Sequence, residues 1–178
     1  IAYGNEVIVG DEHQNSIAPN EEGEILVRGS NVMQEYLDRP EETAKTITAD
    51  GWLRTGDLGR MDEDGFIFVT GRIKELIIKG GENIAPREVD EALLEHDAVL
   101  EAAAFPRTCK DYGQRVEACV CLKKGRNVSE NELREFCEGL IGAYKTPDHI
   151  YFLDDLPKGP SGKVQRMKLV DLTLSASD

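Results

Sequence analysis

The stretch that decides the fold is "KELIIKGGENIAPREVDEALLEHD", residues 74–97, in which two kinds of sequence pattern meet. "KELIIKGGENI" is an apolar run that ends in a Gly-Gly turn, as a short strand does. In "APREVDEALLEHD", apolar side chains recur on one helical face at Val89, Ala92, Leu93 and Leu94. Together with a proline in the first turn, this spacing predicts an amphipathic helix.

Downstream of this stretch, strand patterns alternate with helix patterns. "VLEAAAFP", "RVEACVCLKKG" and "HIYFLDDLP" are typical of strands, and "VQRMKLVDL" predicts a short closing helix. "SENELREFCEGLIGAY" begins with Ser129 and has Glu132 three residues later, which is a capping box at the start of a helix. This half is therefore expected to be a small α/β domain with helices packed on a short sheet.

Upstream, residues 1–71 are predicted to be rich in β-strands, so the whole chain is expected to be α+β. "EVIVG" and "EILVRG" predict strands, and "RPEETAKTI" predicts a helix that starts at Pro40. "DGWLRTGDLGRMDEDGFIFVTGR" predicts three short strands separated by D-G and T-G-D turns. The Asp-Gly pair in "MDEDGFIF" predicts a hairpin with a type I′ turn. The two halves meet at "GRIK", residues 71–74.

Composition limits the classes of function. The chain has 178 residues, of which 40% are hydrophobic and 31% charged, as in a soluble globular protein. A net charge of −13 repels nucleic acid, so no nucleic-acid partner is expected. No apolar run approaches the ~20 residues that span a bilayer, and the N-terminus lacks a signal-peptide pattern. The oligomeric state stays open.

The cysteines indicate a reducing compartment. The four are Cys109, Cys119, Cys121 and Cys137. None forms a C-x-x-C pair or lies at zinc-ligand spacing from a histidine, so no metal site is expected. Cys119 and Cys121 lie in the apolar run "VEACVCL", where buried reduced thiols are expected. These features favour a cytoplasmic location.

One motif near the end of the chain imitates a nucleotide-binding loop. "LPKGPSGKVQR", residues 156–166, contains a Gly-Lys pair, as a Walker loop does. The first glycine of that pattern would fall at Pro157, and the Ser or Thr that holds magnesium would fall at Val164. Both positions fail, which excludes a Walker loop. Lys163 is then either a solvated surface charge or a point charge that a loop delivers to an anion.

Two further motifs allow two interpretations each. Asp57 in "TGDLG" is either a turn-stabilising residue or a carboxylate that accepts hydrogen bonds from ribose hydroxyls. Gly80 and Gly81 either end a strand in an ordinary turn or allow close approach of a ligand to the backbone. The residues alone leave both pairs of alternatives open. The three histidines form no triad pattern with a serine or cysteine.

The joint order of these motifs is more specific than any one of them. The three segments that carry it are "GEILVRGSNVMQEYLDRPEETAKTI", "DGWLRTGDLGRMDEDGFIFVTGRIKELIIKGGENIAPREVDEALLEH" and "YKTPDHIYFLDDLPKGPSGKVQRMKL". In this order they closely resemble the C-terminal part of the adenylate-forming acyl-CoA synthetases, the AMP-dependent synthetase and ligase family. The resemblance extends over nearly the whole chain.

The resemblance implies a ligase with two half-reactions. ATP and a carboxylic acid, expected to be a fatty acid, form an acyl-adenylate and pyrophosphate, and coenzyme A then takes the acyl group and releases AMP. Residues 1–71 would be the β-barrel-like distal subdomain of a large N-terminal domain. Residues 72–74 would be a hinge, and residues 75–178 the C-terminal lid domain, which rotates between the half-reactions.

The resemblance also assigns roles to residues in the first half and the hinge. Asp57 resembles the carboxylate that binds the ribose of ATP and AMP. Arg72 resembles the arginine that also reaches the ribose. Lys74 matches the hinge position.

In the lid domain, the resemblance implies two further sites. Gly80, Gly81 and Glu82 match the turn that lines the tunnel for coenzyme A. Lys163 matches the catalytic lysine that contacts the acyl carboxylate and the phosphate during adenylation. The family's P-D…G-E pattern is replaced by "FPRTCKDYGQR", which is expected to be a surface loop.

Other family motifs lie upstream of the matched region, including the phosphate loop and the acyl pocket, and Mg²⁺ would bind through that missing part. The 178-residue chain alone is therefore expected to be inactive. Two alternatives remain: an adenylation domain of a carrier-protein assembly line, and a non-catalytic binding module of the same fold. The identity of the acid is not encoded in these residues.

Overall fold

The structure is a computed structural model that describes residues 3–174. The chain divides into two compact units, Ile1–Lys74 and Glu75–Asp178, each with its own sheet. The combination of two mainly antiparallel sheets with helices confirms the expected α+β class. Among the described residues, no helix is both long enough and apolar enough to cross a bilayer.

The first unit is an open antiparallel sheet in the order β1-β2-β3-β4. Its strands are β1 (Asn5–Gly10), β2 (Gly23–Gly29), β3 (Leu53–Met61) and β4 (Ile67–Arg72). Helix α1 (Pro40–Thr46) lies between β2 and β3 and begins at the expected proline. Within residues 3–74, β1 and β4 are edges that do not pair with each other, so this part is an open sheet and not a closed barrel.

Strand β3 corrects the prediction of a T-G-D turn. It runs without interruption through "LRTGDLGRM", so residues 50–72 contain two strands and not three. Gly56 has φ +72°, and the register with β2 shifts between Glu24 and Leu26. The backbone conformation that suggested a turn is thus accommodated as a β-bulge, which bends a strand without ending it.

The hairpin between β3 and β4 is present, but its turn differs from the predicted type. The Asp62 N–H donates to the Phe66 carbonyl at 3.0 Å, and the Gly65 N–H donates to the Asp62 carbonyl at 3.1 Å. Gly65 has φ +82°, whereas Glu63 and Asp64 do not have positive φ. A type I′ turn needs two positive φ angles, so this is a three-residue loop with glycine in the left-handed position.

The second unit contains a mixed sheet and helices on both of its faces. Its strands are β5 (Ile77–Lys79), β6 (Glu82–Ile84), β7 (Val99–Cys109), β8 (Gly113–Leu122) and β9 (His149–Phe152). Its helices are α2 (Pro86–Leu94), α3 (Glu130–Ile141) and α4 (Arg166–Leu174). A 3₁₀ turn at Ile73–Glu75 precedes β5.

Strand β8 organises the sheet of the second unit. One edge of β8 pairs with β7 in a long antiparallel hairpin. The other edge pairs antiparallel with β5 at Gly113 and parallel with β9 from Glu117 to Val120. The parallel pairing requires a crossover, which α3 supplies. The predicted surface loop at "FPRTCKDYGQR" is limited to residues 110–112, which are exposed, because the rest of this stretch belongs to β7 and β8.

The two faces of this sheet carry separate apolar clusters. On one face, Ala104 and Val120 pack with residues of α2 and α3, including Leu93 and Leu133. On the other face, the buried residues are Ala103, Phe105, Cys119, Cys121, Leu156 and Leu169, the last of these from α4. Successive strand residues point to opposite faces, so β7 and β8 serve both clusters. The result is three layers: α2 with α3, the sheet, and α4.

The predicted helix patterns hold with one correction. Val89, Ala92 and Leu93 of α2 are buried as expected, but Leu94 is 43% exposed. Asp90 is buried in its place. The capping box of α3 is present, with Ser129 as N-cap.

Candidate functional site

Asp57 and Arg72 lie opposite each other on β3 and β4 of the first unit. The Arg72 Nε lies 2.8 Å from the Asp57 Oδ1 in an ion pair, and both side chains reach solvent. The Asp57 Oδ2 has no hydrogen-bond partner among residues 3–174, so the carboxylate keeps an acceptor for a ligand hydroxyl. Asp57 does not stabilise a turn, because its carboxylate pairs across the sheet.

The bulge of β3 sets the orientation of Asp57. The Thr55 hydroxyl donates to the Ile25 carbonyl at 2.7 Å and accepts from the Asp57 N–H at 3.0 Å. The Gly56 N–H donates to the Glu24 carboxylate at 3.1 Å, and Glu24 is buried. Two of these hydrogen bonds connect the bulge to β2 beneath Asp57. Sequence reasoning missed Glu24, whose one signal was an acid at the start of an apolar strand.

Lys74 lies in the 3₁₀ turn Ile73–Glu75, and its side chain is exposed. The division between the two compact units falls directly after it. A short turn with few buried contacts is a position where backbone rotation is least costly. The hinge role of Lys74 stays a prediction.

Gly80 and Gly81 form the two-residue turn between β5 and β6. Their φ angles are +56° and +91°, so the turn is the type I′ turn that two glycines favour. The Gly80 N–H donates to the Tyr112 carbonyl at 2.9 Å. A Cβ on Gly80 would lie 3.0 Å from the Tyr144 hydroxyl oxygen, whereas one on Gly81 would meet nothing within 4 Å. Glu82 follows with an exposed side chain.

A buried lysine supports this turn, and sequence reasoning did not select it. Lys79 is 6% exposed, and its ammonium group donates to the Tyr144 carbonyl at 3.0 Å. The Asp148 carboxylate lies 3.6 Å from the Lys79 Nζ, and the rings of Tyr112 and Tyr144 lie within 6.0 Å. The Tyr144 hydroxyl in turn donates to the Lys79 carbonyl. The strand before the Gly-Gly turn is therefore held at both its side chain and its backbone.

Lys163 lies on a closed turn between β9 and α4. The Gly159 N–H donates to the Lys163 carbonyl at 2.8 Å, and the Gln165 N–H donates to the Pro157 carbonyl at 2.8 Å. The Lys163 side chain is exposed and makes no ion pair or hydrogen bond with residues 3–174. Its backbone is thus fixed while its amino group is available to a ligand.

A buried ion pair follows this turn and was missed by sequence reasoning. The Arg166 guanidinium donates to both oxygens of Asp90, at 2.5 and 3.2 Å. Burial raises the pKa of the Asp90 carboxyl, and the hydrogen bonds and charge of Arg166 act against that shift. The Ala104 N–H also donates to Asp90, at 2.6 Å. The pair connects the first residue of α4 to α2 and β7.

Among residues 3–174, three of the four cysteines are buried, and no candidate metal site is found. Cys119, Cys121 and Cys137 are free and buried, which confirms the buried reduced thiols expected at the first two. Burial raises the pKa of Cys119 to about 12 and that of Cys137 to about 11, so neither is a thiolate near neutral pH. Within residues 3–174, no group of three or more His, Cys, Asp or Glu is placed to hold a metal ion.

The described arrangement therefore has two parts. The first unit brings Asp57 and Arg72 together, and the second unit presents the Gly80–Gly81 turn and the Lys163 turn. Paired acceptor and donor groups suit a polyhydroxylated ligand, and an exposed amine suits an anion.

Comparison with known proteins identifies the family. Residues 88–163 match the C-terminal domain of AMP-binding enzymes. A sulfoacetate–CoA ligase from Cupriavidus necator is 52% identical over 149 residues, which cover 84% of this chain and 29% of the ligase. A long-chain-fatty-acid–CoA ligase from Bacillus subtilis is 45% identical over 166 residues, which cover 92% of this chain and 29% of that ligase.

A solved structure agrees with this result. The o-succinylbenzoate CoA synthetase from Bacillus subtilis, in complex with its acyl-adenylate intermediate, aligns with a TM-score of 0.85 and 38% identity. The alignment covers 94% of this chain and 34% of the synthetase. The chain spans about a third of the length of the relatives it matches.

The chain belongs to the adenylate-forming AMP-binding enzymes and carries their C-terminal domain. This confirms the resemblance that the order of the motifs carried. The roles of the individual site residues stay predictions.

Proposed function

We propose that the protein carrying this chain is an AMP-forming acyl-CoA synthetase. It would activate a carboxylic acid with ATP to an acyl-adenylate and then transfer the acyl group to coenzyme A. The CoA-ligase activity in the names of the relatives and the adenylate bound to the related synthetase support this proposal.

The proposed domain organisation follows the family. Residues 1–71 would be the distal subdomain of the large domain, residues 72–74 the hinge and residues 75–178 the lid. The division into compact units after Lys74 supports this boundary. Rotation about the hinge would exchange the Lys163 turn for the Gly80–Gly81 turn at the reacting atoms.

The observation that carries the proposal is the state of Lys163. Its amino group is exposed and unpaired within residues 3–174, yet its backbone belongs to a turn closed by hydrogen bonds. During adenylation, negative charge is shared between the carboxylate of the acid and the α-phosphate. A cation that is positioned without an internal partner stabilises such charge more in the transition state than in the ground state.

The other site residues would bind the substrates. Asp57 would accept hydrogen bonds from the ribose hydroxyls through its free Oδ2, and Arg72 would donate to the same ribose. Gly80 and Gly81 would let the chain of coenzyme A approach the backbone without a Cβ in its path. Mg²⁺ would accompany ATP and would be held by upstream residues; residues 3–174 contain no group of three or more His, Cys, Asp or Glu placed to hold a metal ion.

The acid is the open part of the proposal. One relative is named for a long-chain fatty acid, and others are named for sulfoacetate and 2-succinylbenzoate. A fatty acid is therefore one candidate class among several. A pyrophosphate-release assay of the complete protein against a panel of carboxylic acids distinguishes these classes.

The role of Lys163 is tested by separating the two half-reactions. In the complete protein, Lys163→Ala should lower the rate of acid-dependent adenylation by about 10²–10³-fold, the cost of losing one transition-state donor. Thioester formation from preformed adenylate should keep its rate, because Lys163 has then left the site.

Lys168→Ala is the matched control, since it removes an exposed lysine five residues further along the chain. It should leave both rates unchanged. Equal losses of both half-reactions in Lys163→Ala would exclude the assigned role.

A further inference from the structure

The turn that carries Lys163 is attached to the second unit through the residue that ends it. Three backbone hydrogen bonds close the turn, from Gly159 to Lys163, from Gly162 to Gly159 and from Gln165 to Pro157. The next residue, Arg166, is the first of α4. Whatever fixes Arg166 therefore fixes the C-terminal side of the turn.

Arg166 is held from three sides by groups on other elements. Its guanidinium binds both oxygens of Asp90 on α2, and its Nη1 donates to the Ala104 carbonyl on β7 at 2.9 Å. Its Nε lies 3.3 Å from the Glu75 carboxylate. A planar, two-pronged ion pair restricts orientation as well as distance, which a single contact does not.

Burial of this pair is not explained by stability alone. The side chains of Arg166 and Asp90 are 19% and 11% exposed. Replacing a buried ion pair by apolar residues of the same volume is often neutral or stabilising, because removing two charges from water is costly. An apolar pair, however, would not fix the angle at which the chain leaves the turn. The ion pair between Arg166 and Asp90 therefore adds a fixed orientation of the chain where it leaves the turn.

The contact with Glu75 links the same guanidinium to the start of the second unit. Glu75 directly follows Lys74, and its side chain is 47% exposed. This contact is longer and more solvated than the pair with Asp90, so it contributes less to holding the turn. Asp90 is the main anchor.

We propose that Arg166, anchored by Asp90, is a positioning residue that sets the place of Lys163 for adenylation. The catalytic part of this inference rests on the proposed function, whereas its structural part does not. Arg166 does not touch the substrates in this proposal; it acts only through the turn.

The structural part is tested on the 178-residue chain by amide hydrogen exchange. Arg166→Lys keeps the charge but loses the two-pronged geometry. Exchange at the Gly159 and Gln165 amides should then rise by about tenfold, as expected when a closed turn opens more often. Asp90→Asn should give the same result, and Arg166→Gln a larger one.

Arg107→Lys is the matched control. Arg107 is also largely shielded, with a side chain 11% exposed; it is ion-paired to Glu117 at 2.8 Å and donates to the Val170 carbonyl in the middle of α4. The substitution Arg107→Lys should destabilise α4 without raising hydrogen exchange at the Gly159 and Gln165 amides. Unchanged exchange at Gly159 and Gln165 in Arg166→Lys, or an equal rise in Arg107→Lys, would overturn the proposal whatever the enzyme does.

The catalytic part is tested in the complete protein. Arg166→Lys should lower kcat for adenylation by about 10–100-fold, because small displacements of a catalytic group have costs of that order. KM for ATP and the rate of thioester formation from preformed adenylate should stay unchanged. A loss of both half-reactions to the same extent would contradict positioning.

A double substitution separates this inference from the proposed function. If Arg166 acts through Lys163, then Arg166→Lys should change adenylation by less than about twofold when Lys163→Ala is already present. A full additional loss in the double variant would overturn the positioning role. An active Lys163→Ala variant together with altered exchange in Arg166→Lys would instead remove the proposed role of Lys163 and leave the structural part intact.

Discussion

Gly80 and Gly81 occupy the same two-residue turn for different physical reasons. Both have positive φ, which an L-residue adopts only with strain. Only Gly80 is also close to other atoms, with Tyr144 and Tyr112 within 3.2 Å of an ideal Cβ. A substitution at Gly80 therefore disturbs the aromatic residues around Lys79, whereas one at Gly81 strains only the backbone.

Gly80→Ala is expected to destabilise the second unit by about 1–3 kcal/mol, through backbone strain and displacement of Tyr144. In a Tyr144→Phe background this cost should fall, because the atom 3.0 Å from the new Cβ is the tyrosine hydroxyl oxygen. Urea denaturation of the 178-residue chain measures both values.

Gly81→Ala provides the control for the same background. Its cost should be additive with that of Tyr144→Phe, since a Cβ there meets nothing within 4 Å. Coupling of Tyr144 to Gly81 and not to Gly80 would show that the turn is arranged differently.

At the residue scale, the sequence predicts special backbone positions better than long-range partners. A Gly-Gly pair after an apolar run predicts the turn, because few other residues adopt such φ angles. Asp90 and Arg166 give no comparable signal. They are 76 residues apart, and only the packing of α4 against β7 brings them together.

At the scale of single elements, α3 begins with a reciprocal pair of hydrogen bonds. The Ser129 N–H donates to the Glu132 carboxylate at 2.9 Å, and the Glu132 N–H donates to the Ser129 hydroxyl at 3.3 Å. The bond from the Ser129 N–H, and after it the bond that the Ser129 hydroxyl donates to the same carboxylate at 2.8 Å, lower the pKa of Glu132 from its ordinary value. The folded state therefore binds this proton less tightly than the unfolded state does.

The sign of the pH dependence follows from this shift. A lowered pKa gives stability that is present above the unfolded pKa, near 4.5, and that is lost as the pH falls through the lower folded pKa. We therefore expect the stability advantage of the unmodified chain over Glu132→Gln to shrink below about pH 4.5. Urea denaturation over a series of pH values measures it.

Ser129→Ala is the companion variant. It should cost about 0.5–2 kcal/mol at neutral pH, as the loss of an N-cap does. It should also weaken the acid dependence, because Glu132 loses the hydroxyl partner. If the free energies of unfolding of the unmodified chain and of Glu132→Gln change with pH in the same way, the reciprocal hydrogen bonds of the capping box would be contradicted.

Strong local signals predict elements well, and weak ones fail where tertiary contacts decide. The capping box was sufficient to predict the start of α3, and the prolines were sufficient to predict the starts of α1 and α2. "TGD" predicted a turn, but pairing with β2 and β4 keeps this segment in one strand and absorbs Gly56 as a bulge. Leu94 is about 100° further round the helix than Leu93, beyond the face that the sheet covers.

At the scale of the whole molecule, the two units differ in how much buried apolar core they contain. Within residues 3–74, the buried apolar residues are Val9, Ile25 and Leu26, whereas the second unit has two clusters on opposite faces of its sheet. A small unit with little buried apolar surface is marginal on its own. The stability of the chain is therefore concentrated after Lys74.

Residues 75–178 are expected to fold when expressed alone, with a free energy of unfolding of about 5–10 kcal/mol. Residues 1–74 alone should show no cooperative transition. Thermal denaturation followed by circular dichroism measures both. A cooperative transition in the first unit alone, or its absence in the second, would contradict this distribution of core residues.

The distribution of the thiols has a practical consequence. Cys119, Cys121 and Cys137 are enclosed by the layers of the second unit, while Cys109, at the end of β7, is partly exposed. In the 178-residue chain, a maleimide dye would therefore attach at Cys109 while the three buried cysteines stay in place. Such a label would lie on the second unit, next to the turn between β7 and β8.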